Sequence, residues 1–141
     1  MNAGTAAADV GGWKVVYRSA AGTTDASLAR IPDGTTIAAG AFYLLGGSAY
    51  VGTHPADQSF GPALAATGGG VGVRDSTGAL VDGVGWGTAT NGLVEGTAAA
   101  APPATASPGS SVVRKPDGHD TDDNAADLSV ASTATPGATN G

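Results

Sequence analysis

Val71-Gly72-Val73-Arg74, Asp75-Ser76-Thr77-Gly78 and Ala79-Leu80-Val81-Asp82-Gly83-Val84 read in succession as strand, turn and strand. Two valine-rich runs flank four residues of turn chemistry, the pattern of a β-hairpin. The same grammar repeats outward. Toward the N-terminus, Trp13, Val15 and Tyr17 alternate with Lys14 and Val16 after a Gly11-Gly12 turn, as a strand with two distinct faces would. Ala26 to Ala29 reads as a short strand, Ile31-Pro32-Asp33-Gly34 as a turn, and Phe42-Tyr43-Leu44-Leu45 as a strand buried on both faces. Gly46 to Gly70 reads as an irregular crossing. Toward the C-terminus, Ser111-Val112-Val113-Arg114 and Leu128-Ser129-Val130 read as strands separated by an acidic, turn-forming stretch. About seven short strands with turns every ten residues or so predict an all-β, antiparallel β-sandwich.

Composition agrees. The chain has 141 residues, room for one domain. Half of its apolar residues, 29 of 58, are alanine, and 24 residues are glycine. It holds a single glutamate (Glu95), a single glutamine (Gln58) and two lysines. Helix surfaces are built from the residues this chain lacks. The large side chains are few, and the expected core is Trp13, Val15, Phe42, Leu44, Val71, Val73, Val84, Val113 and Leu128. Ala98 to Pro108 is uncharged and low in complexity, so residues 96–110 are expected to form a long Ala/Pro/Thr-rich loop within the domain.

The net charge is −6, and the basic residues Lys14, Arg18, Arg30, Arg74, Arg114 and Lys115 are scattered. Nucleic-acid binding through a basic patch is therefore not expected. An acidic, lightly charged surface suits an extracellular or cell-envelope protein. Without cysteine, disulfides and thiolate metal sites are excluded. The longest uncharged run, Thr35 to Ala56, is broken by glycines and His54, so no membrane span is expected. Met1-Asn2-Ala3 does not open a secretory leader.

Several segments together resemble one known family. Leu80-Val81-Asp82-Gly83-Val84-Gly85-Trp86-Gly87 is similar to the "vvDsvgyg" strand of lamin-tail domains. Arg114-Lys115-Pro116-Asp117-Gly118, Asp120-Thr121-Asp122-Asp123-Asn124 and Asp127-Leu128 resemble their "R-x-P-D-G-x-D-T-D-D-N-x-x-D-F" segment, and Thr135-Pro136-Gly137-Ala138-Thr139-Asn140 resembles their "T-P-G-x-x-N" ending. Asp9-Val10-Gly11-Gly12-Trp13 and the stretch from Pro32-Asp33-Gly34 to Phe42-Tyr43-Leu44-Leu45 resemble earlier pieces in the same order. The Ala/Gly/Thr-rich spelling resembles the bacterial, secreted, actinobacterial branch. The resemblance implies a single immunoglobulin-like sandwich over residues 1–141, without catalytic residues of its own. Its implied role is a non-catalytic binding or attachment module of an extracellular bacterial protein, with an unidentified protein or envelope ligand. The alternative it implies is an accessory domain of a secreted nuclease or phosphoesterase whose catalytic domain lies outside this chain. The family's opening strand, "v-x-I-x-E-V … F-V-E-L-Y-N", is matched only by Asn2, so the domain reads as N-terminally incomplete. An open sheet edge is then expected, leaving the chain marginally stable alone and associating there with a partner's strand or a second copy; the alternative is that Gly92 to Ala101 crosses the gap.

Chemistry-bearing residues are sparse. The two histidines, His54 and His119, lie in turn-like surroundings, and no G-x-S-x-G elbow accompanies them. Gly68-Gly69-Gly70-Val71-Gly72 runs into a strand and lacks the following helix of a phosphate loop. Trp13 and Trp86 each follow glycine at a strand boundary and read as core plugs rather than sugar platforms. The acidic run is the strongest site candidate. Asp120, Asp122 and Asn124 alternate, with Asp117 and Asp127 flanking them, as oxygen ligands of a calcium loop do. Such a loop also asks for glycine at position six and glutamate at position twelve, where Ala125 and Ala131 stand. The competing reading has these side chains accepting backbone N–H bonds in successive turns, with one carboxylate paired to Arg114. No cofactor other than calcium is suggested.

Overall fold

The computed structural model describes residues 1–103 and 110–140. The chain is all-β. Its strands are β1 (Ala8–Asp9), β2 (Lys14–Ser19), β3 (Ala26–Arg30), β4 (Thr36–Ile37), β5 (Leu45–Gly47), β6 (Gln58–Phe60), β7 (Gly68–Arg74), β8 (Leu80–Gly87), β9 (Ser111–Arg114) and β10 (Leu128–Ala131). One helical turn, α1 (Asn124–Asp127), interrupts them. The central sheet runs β3-β2-β7-β8 with every neighbour antiparallel. Among the described residues, three two-stranded pairs accompany it: β1–β4 and β9–β10 antiparallel, β5–β6 parallel. Ten strands stand among the described residues, where about seven were expected. The unforeseen β1, β4 and β6 have only two or three residues each, too few for alternation to register. Part of the loop expected over residues 96–110, namely 104–109, lies outside the described residues.

Register divides the central sheet into two unlike faces. Val15, Tyr17, Val71, Val73, Val84 and Trp86 share one face. Val16, Gly70, Gly72, Gly83 and Gly85 share the other. The second face has almost no side chains along β7 and β8, and the segment Asn91–Glu95 lies flat in the trough. Leu93 fills it completely and has no exposed surface. A methyl group at Gly72 would meet Leu93 Cδ2 at 2.8 Å, and one at Gly70 would meet Asn91 Oδ1 at 2.7 Å. Asn91 anchors the segment at its start. Its Nδ2 donates to Ser19 O, and its Oδ1 accepts from Leu93 N, both within 3.0 Å. The triple glycine thus forms the first three residues of β7, where backbone and side chain approach closely.

This arrangement corrects the expected core. Of the nine residues predicted, Val15 and Val113 are buried. Trp13, Phe42, Leu44, Val71, Val73, Val84 and Leu128 are half-buried. The deepest apolar residues are Val10, Val16, Ile31, Leu93 and Ala99 instead. Alternation marked the valine face because large residues signal burial. It was blind to the glycine face, which buries a side chain arriving from elsewhere. The Phe42–Leu45 run also departs from expectation. Only Leu45 belongs to a strand, because the run is pinned by hydrogen bonds: Leu44 N donates to the Asp57 carboxylate (2.7 Å), and Asp57 N donates back to Leu44 O.

Gly72→Val tests the trough. Valine is the better strand former, so propensity alone predicts a gain in stability. Displacement of Leu93 predicts a loss of about 1–3 kcal/mol. Urea unfolding of the variant against the parent chain gives the sign.

Candidate functional site

The acidic segment is organised around the outer edge of β8. The N–H of Gly85 donates to Asn124 Oδ1 (2.7 Å), and Asn124 Nδ2 donates to Gly83 O (2.9 Å). Gly83 N donates to Glu95 Oε1 (2.9 Å). Ala99 N donates to Gly85 O, and Gly87 N to Ala99 O. One amide, one carboxylate and one backbone residue thus occupy the groups a neighbouring strand would have used. Asn124 is fully buried and also accepts from Glu95 N. It is held there by α1, whose first turn is capped by Asp123: the carboxylate accepts from Ala125 N. The same oxygen accepts from Thr97 N, which ties α1 to the segment beside β8. Glu95 and Ala99 therefore lie along the outer edge of β8, with Ala99 bridging Trp86.

The five residues proposed for calcium go to different places. Asp117 accepts from Asn140 Nδ2 (2.6 Å) and Asn140 N. Asp120 pairs with Arg114 (2.8 Å). Asp122 is exposed and adopts positive φ in the turn before α1. Asn124 plugs β8. Asp127 is buried and accepts from both the N–H and the hydroxyl of Thr121. Among the described residues, the carboxylates close enough to share a cation are Asp82, Glu95 and Asp120. Only Asp120 was in the sequence-based set. Asp82 was passed over because it sits inside a strand, and Glu95 because no spacing motif includes it. The one available signal was that Glu95 is the only glutamate in the chain.

Arg114 is the counter-charge of this cluster. Its guanidinium contacts Asp82, Asp120 and Asp127 at 3.2, 2.8 and 3.5 Å, and donates to His119 O. Burial opposes its charge, but Asp120 and Asp82 outweigh that and raise its pKa. Burial raises the Asp82 carboxyl, against the pull of Arg114. Burial likewise raises Glu95, against the Gly83 hydrogen bond. Asp127 is lowered, chiefly by the Thr121 N–H. Burial would raise Asp25, yet hydrogen bonds from Arg74 and Arg18 leave it below the ordinary value. His119 stands half-exposed at 3.7 Å from Asp127, and His54 is exposed, its carbonyl accepting from the Tyr50 hydroxyl.

Beside this region lies a cavity of about 310 Å³ bordered by Phe42, Asp82, Arg114, Asp117, Asp120 and Asn140. On the valine face of the sheet, a separate apolar groove of about 400 Å³ runs between Leu64, Val71, Val84, Trp86, Pro102 and Val112. Trp86 is half-buried at its wall. Its indole donates to Ala65 O (3.0 Å), and its ring leans on Tyr17 at 6.3 Å between centroids. Comparison with family models, with characterised proteins and with solved structures finds no match to this chain. Among the described residues, no helix is long and apolar enough to cross a membrane.

The opposed pKa shifts predict a pH profile. Asp82 and Glu95 bind protons more readily folded than unfolded, so stability rises as pH falls through their raised values toward the ordinary carboxyl value of about 4. Asp25 and Asp127 stabilise above that value, and their contribution is lost as pH falls further through their lowered ones. Melting temperature measured from pH 8 to pH 3 should therefore peak on the acid side of neutrality. In Asp82→Asn and Glu95→Gln the rise from neutrality should flatten.

Because Asp117, Asp120, Asn124 and Asp127 already have protein partners, EDTA should leave the melting temperature unchanged. A stabilising cation would raise stability by RT ln(1 + [L]/Kd), about 2.7 kcal/mol at a hundredfold excess over Kd. A calcium-dependent rise that disappears in Asp122→Ala would restore the calcium loop, and one that disappears in Glu95→Gln would place the ion in the other cluster.

Proposed function

We propose that this chain is a non-catalytic binding or attachment module of an extracellular bacterial protein, built as a lamin-tail-like, immunoglobulin-like β-sandwich. The observation that carries the reading is the role of the D-T-D-D-N segment. Its polar side chains hold the frame: Asp123 caps α1, Asn124 closes β8, and the Thr121 hydroxyl donates to Asp127. Groups committed to internal hydrogen bonds are poorly placed to exchange protons with a substrate, since each is already bonded at the geometry its turn requires. The ordered likeness to lamin-tail motifs supports the same role for this segment. The apolar groove at Trp86 and the acidic surface leave room for recognition of a protein or envelope component. The extracellular setting rests on charge and on the resemblance.

Two assays on the purified chain test the proposal. It should hydrolyse no carboxylic ester, phosphodiester or glycoside above background. It should co-sediment with purified Gram-positive cell walls without degrading them. Turnover that persists through purification and vanishes in His54→Ala or His119→Ala would overturn the non-catalytic reading. A chain that stays wholly in the supernatant at micromolar concentration would overturn attachment to that envelope.

A further inference from the structure

The sheet edges are not equally protected. The outer edge of β8 is closed by Glu95, Asn124 and Ala99. The outer edge of β3 is blunted. Its pairing with β2 shifts register opposite Val15/Val16, Gln58 Nε2 donates to Arg30 O (3.1 Å), and Pro32 follows closely. A bulge, a capping side chain and a nearby proline each discourage a further strand.

The ribbon β9–β10 differs. Asn140 Nδ2 donates to Arg114 O on the β9 side. On the β10 side, the hydrogen-bond phase can be read from Lys115 N, which donates to Asp127 O. Arg114 and Leu128 are therefore opposed without exchanging bonds, and so are Val112 and Val130 two residues further on. The N–H and C=O of Val130 must then point away from β9. The N–H of Leu128 is taken by Asn124 O. Among the described residues, Val130 N–H and C=O have no backbone partner outside the ladder, and β10 has no second strand neighbour. The Val130 side chain is 40% exposed. From Leu128 to Asn140 there is no charged residue, and no proline before Pro136. Among the described residues, no bulge, capping side chain or proline protects β10 at Val130.

We propose that β10 is a self-pairing edge, through which two copies of this chain join antiparallel about a two-fold axis at Val130. The pairing makes one four-stranded sheet from two ribbons. A second copy fits for three reasons. A residue on the axis must give its twin both a donor and an acceptor, and among the described residues nothing occupies either group of Val130. The pairing sets Leu128 opposite Ser132 and Ser129 opposite Ala131, with no like charges facing. The antiparallel sense carries the two acidic segments, residues 117–127, to opposite ends of the new sheet. The interface is isologous, so it closes at two copies. The inference stands independently of the binding role proposed above.

Sedimentation velocity over a concentration series tests it, combined with hydrogen exchange at the Val130 amide. A monomer–dimer equilibrium is expected, with Val130 exchange slowing as concentration rises. Val130→Pro removes the outward N–H while leaving the β9 ladder intact, and should weaken dimerisation about tenfold or more. Val130→Lys sets two ammonium groups together at the axis and should do the same without altering the backbone. Circular dichroism checks that each variant is folded, and either folded variant suffices. A chain that is monomeric throughout overturns the proposal. So does a dimer insensitive to both substitutions, or a Val130 amide whose exchange ignores concentration. A monomer that protects Val130 only when a foreign strand peptide is added also overturns self-pairing.

Discussion

The buried amide of Asn124 is the contact on which the rest of this structure depends. A β-strand at a sheet edge presents unpaired N–H and C=O groups, and buried backbone groups cannot be left without partners. Asn124 meets one donor and one acceptor of β8 with a single side chain. Because that side chain hangs from α1, closing the edge also fixes α1. Fixing α1 places Asp127, which holds Thr121 and sits against Arg114. Arg114 belongs to β9 and reaches back to Asp82 on β8. The circuit returns to the strand where it began, and the ribbon β9–β10 is bound to the central sheet by it.

A second constraint makes this circuit necessary. The chain has few large apolar side chains, and half of its apolar residues are alanines, which bury little area each. Glycines on β7 and β8 turn that poverty into close packing. One leucine seated against bare backbone fills what would otherwise need several side chains. The arrangement tolerates little change, because a trough cut to one side chain has no slack. Polar side chains then supply the remaining cohesion at the margins, as the ion pairs of Asp25 with Arg18 and Arg74 do at the start of β3.

The strands were legible where they were long. The β7–β8 hairpin, β2, β3, β9 and β10 all stand where valine-rich runs and turn residues set them. The buried face was not legible, because periodicity counts the side chains a strand carries and not those it receives. Gly70, Gly72 and Gly83 read as weakness in a strand, whereas they mark the seat of Leu93. The acidic segment was legible as a place where oxygens converge on turns. Its partners were not: Asp82 and Glu95 lie 38 and 25 residues from Asp120, and only the fold brings the three carboxylates together. A spacing rule within one loop cannot find a cluster assembled from three segments.

The identity of residue 124 follows from the same geometry. The edge of β8 offers an N–H at Gly85 and a carbonyl at Gly83, and Glu95 brings a carboxylate to the same point. Aspartate would satisfy the N–H, but it would face the Gly83 carbonyl and the Glu95 carboxylate with no hydrogen to give. Leucine would fill the space and leave both backbone groups of β8 buried and unpaired, which costs more than its burial returns. Glutamine has the right chemistry on a longer arm, and α1 would have to retreat to admit it. Of the twenty side chains, the carboxamide of asparagine alone matches a peptide group in polarity at the reach that α1 sets. In this setting it stands in for the next strand and ends the sheet at β8, while β10 keeps a free edge at Val130.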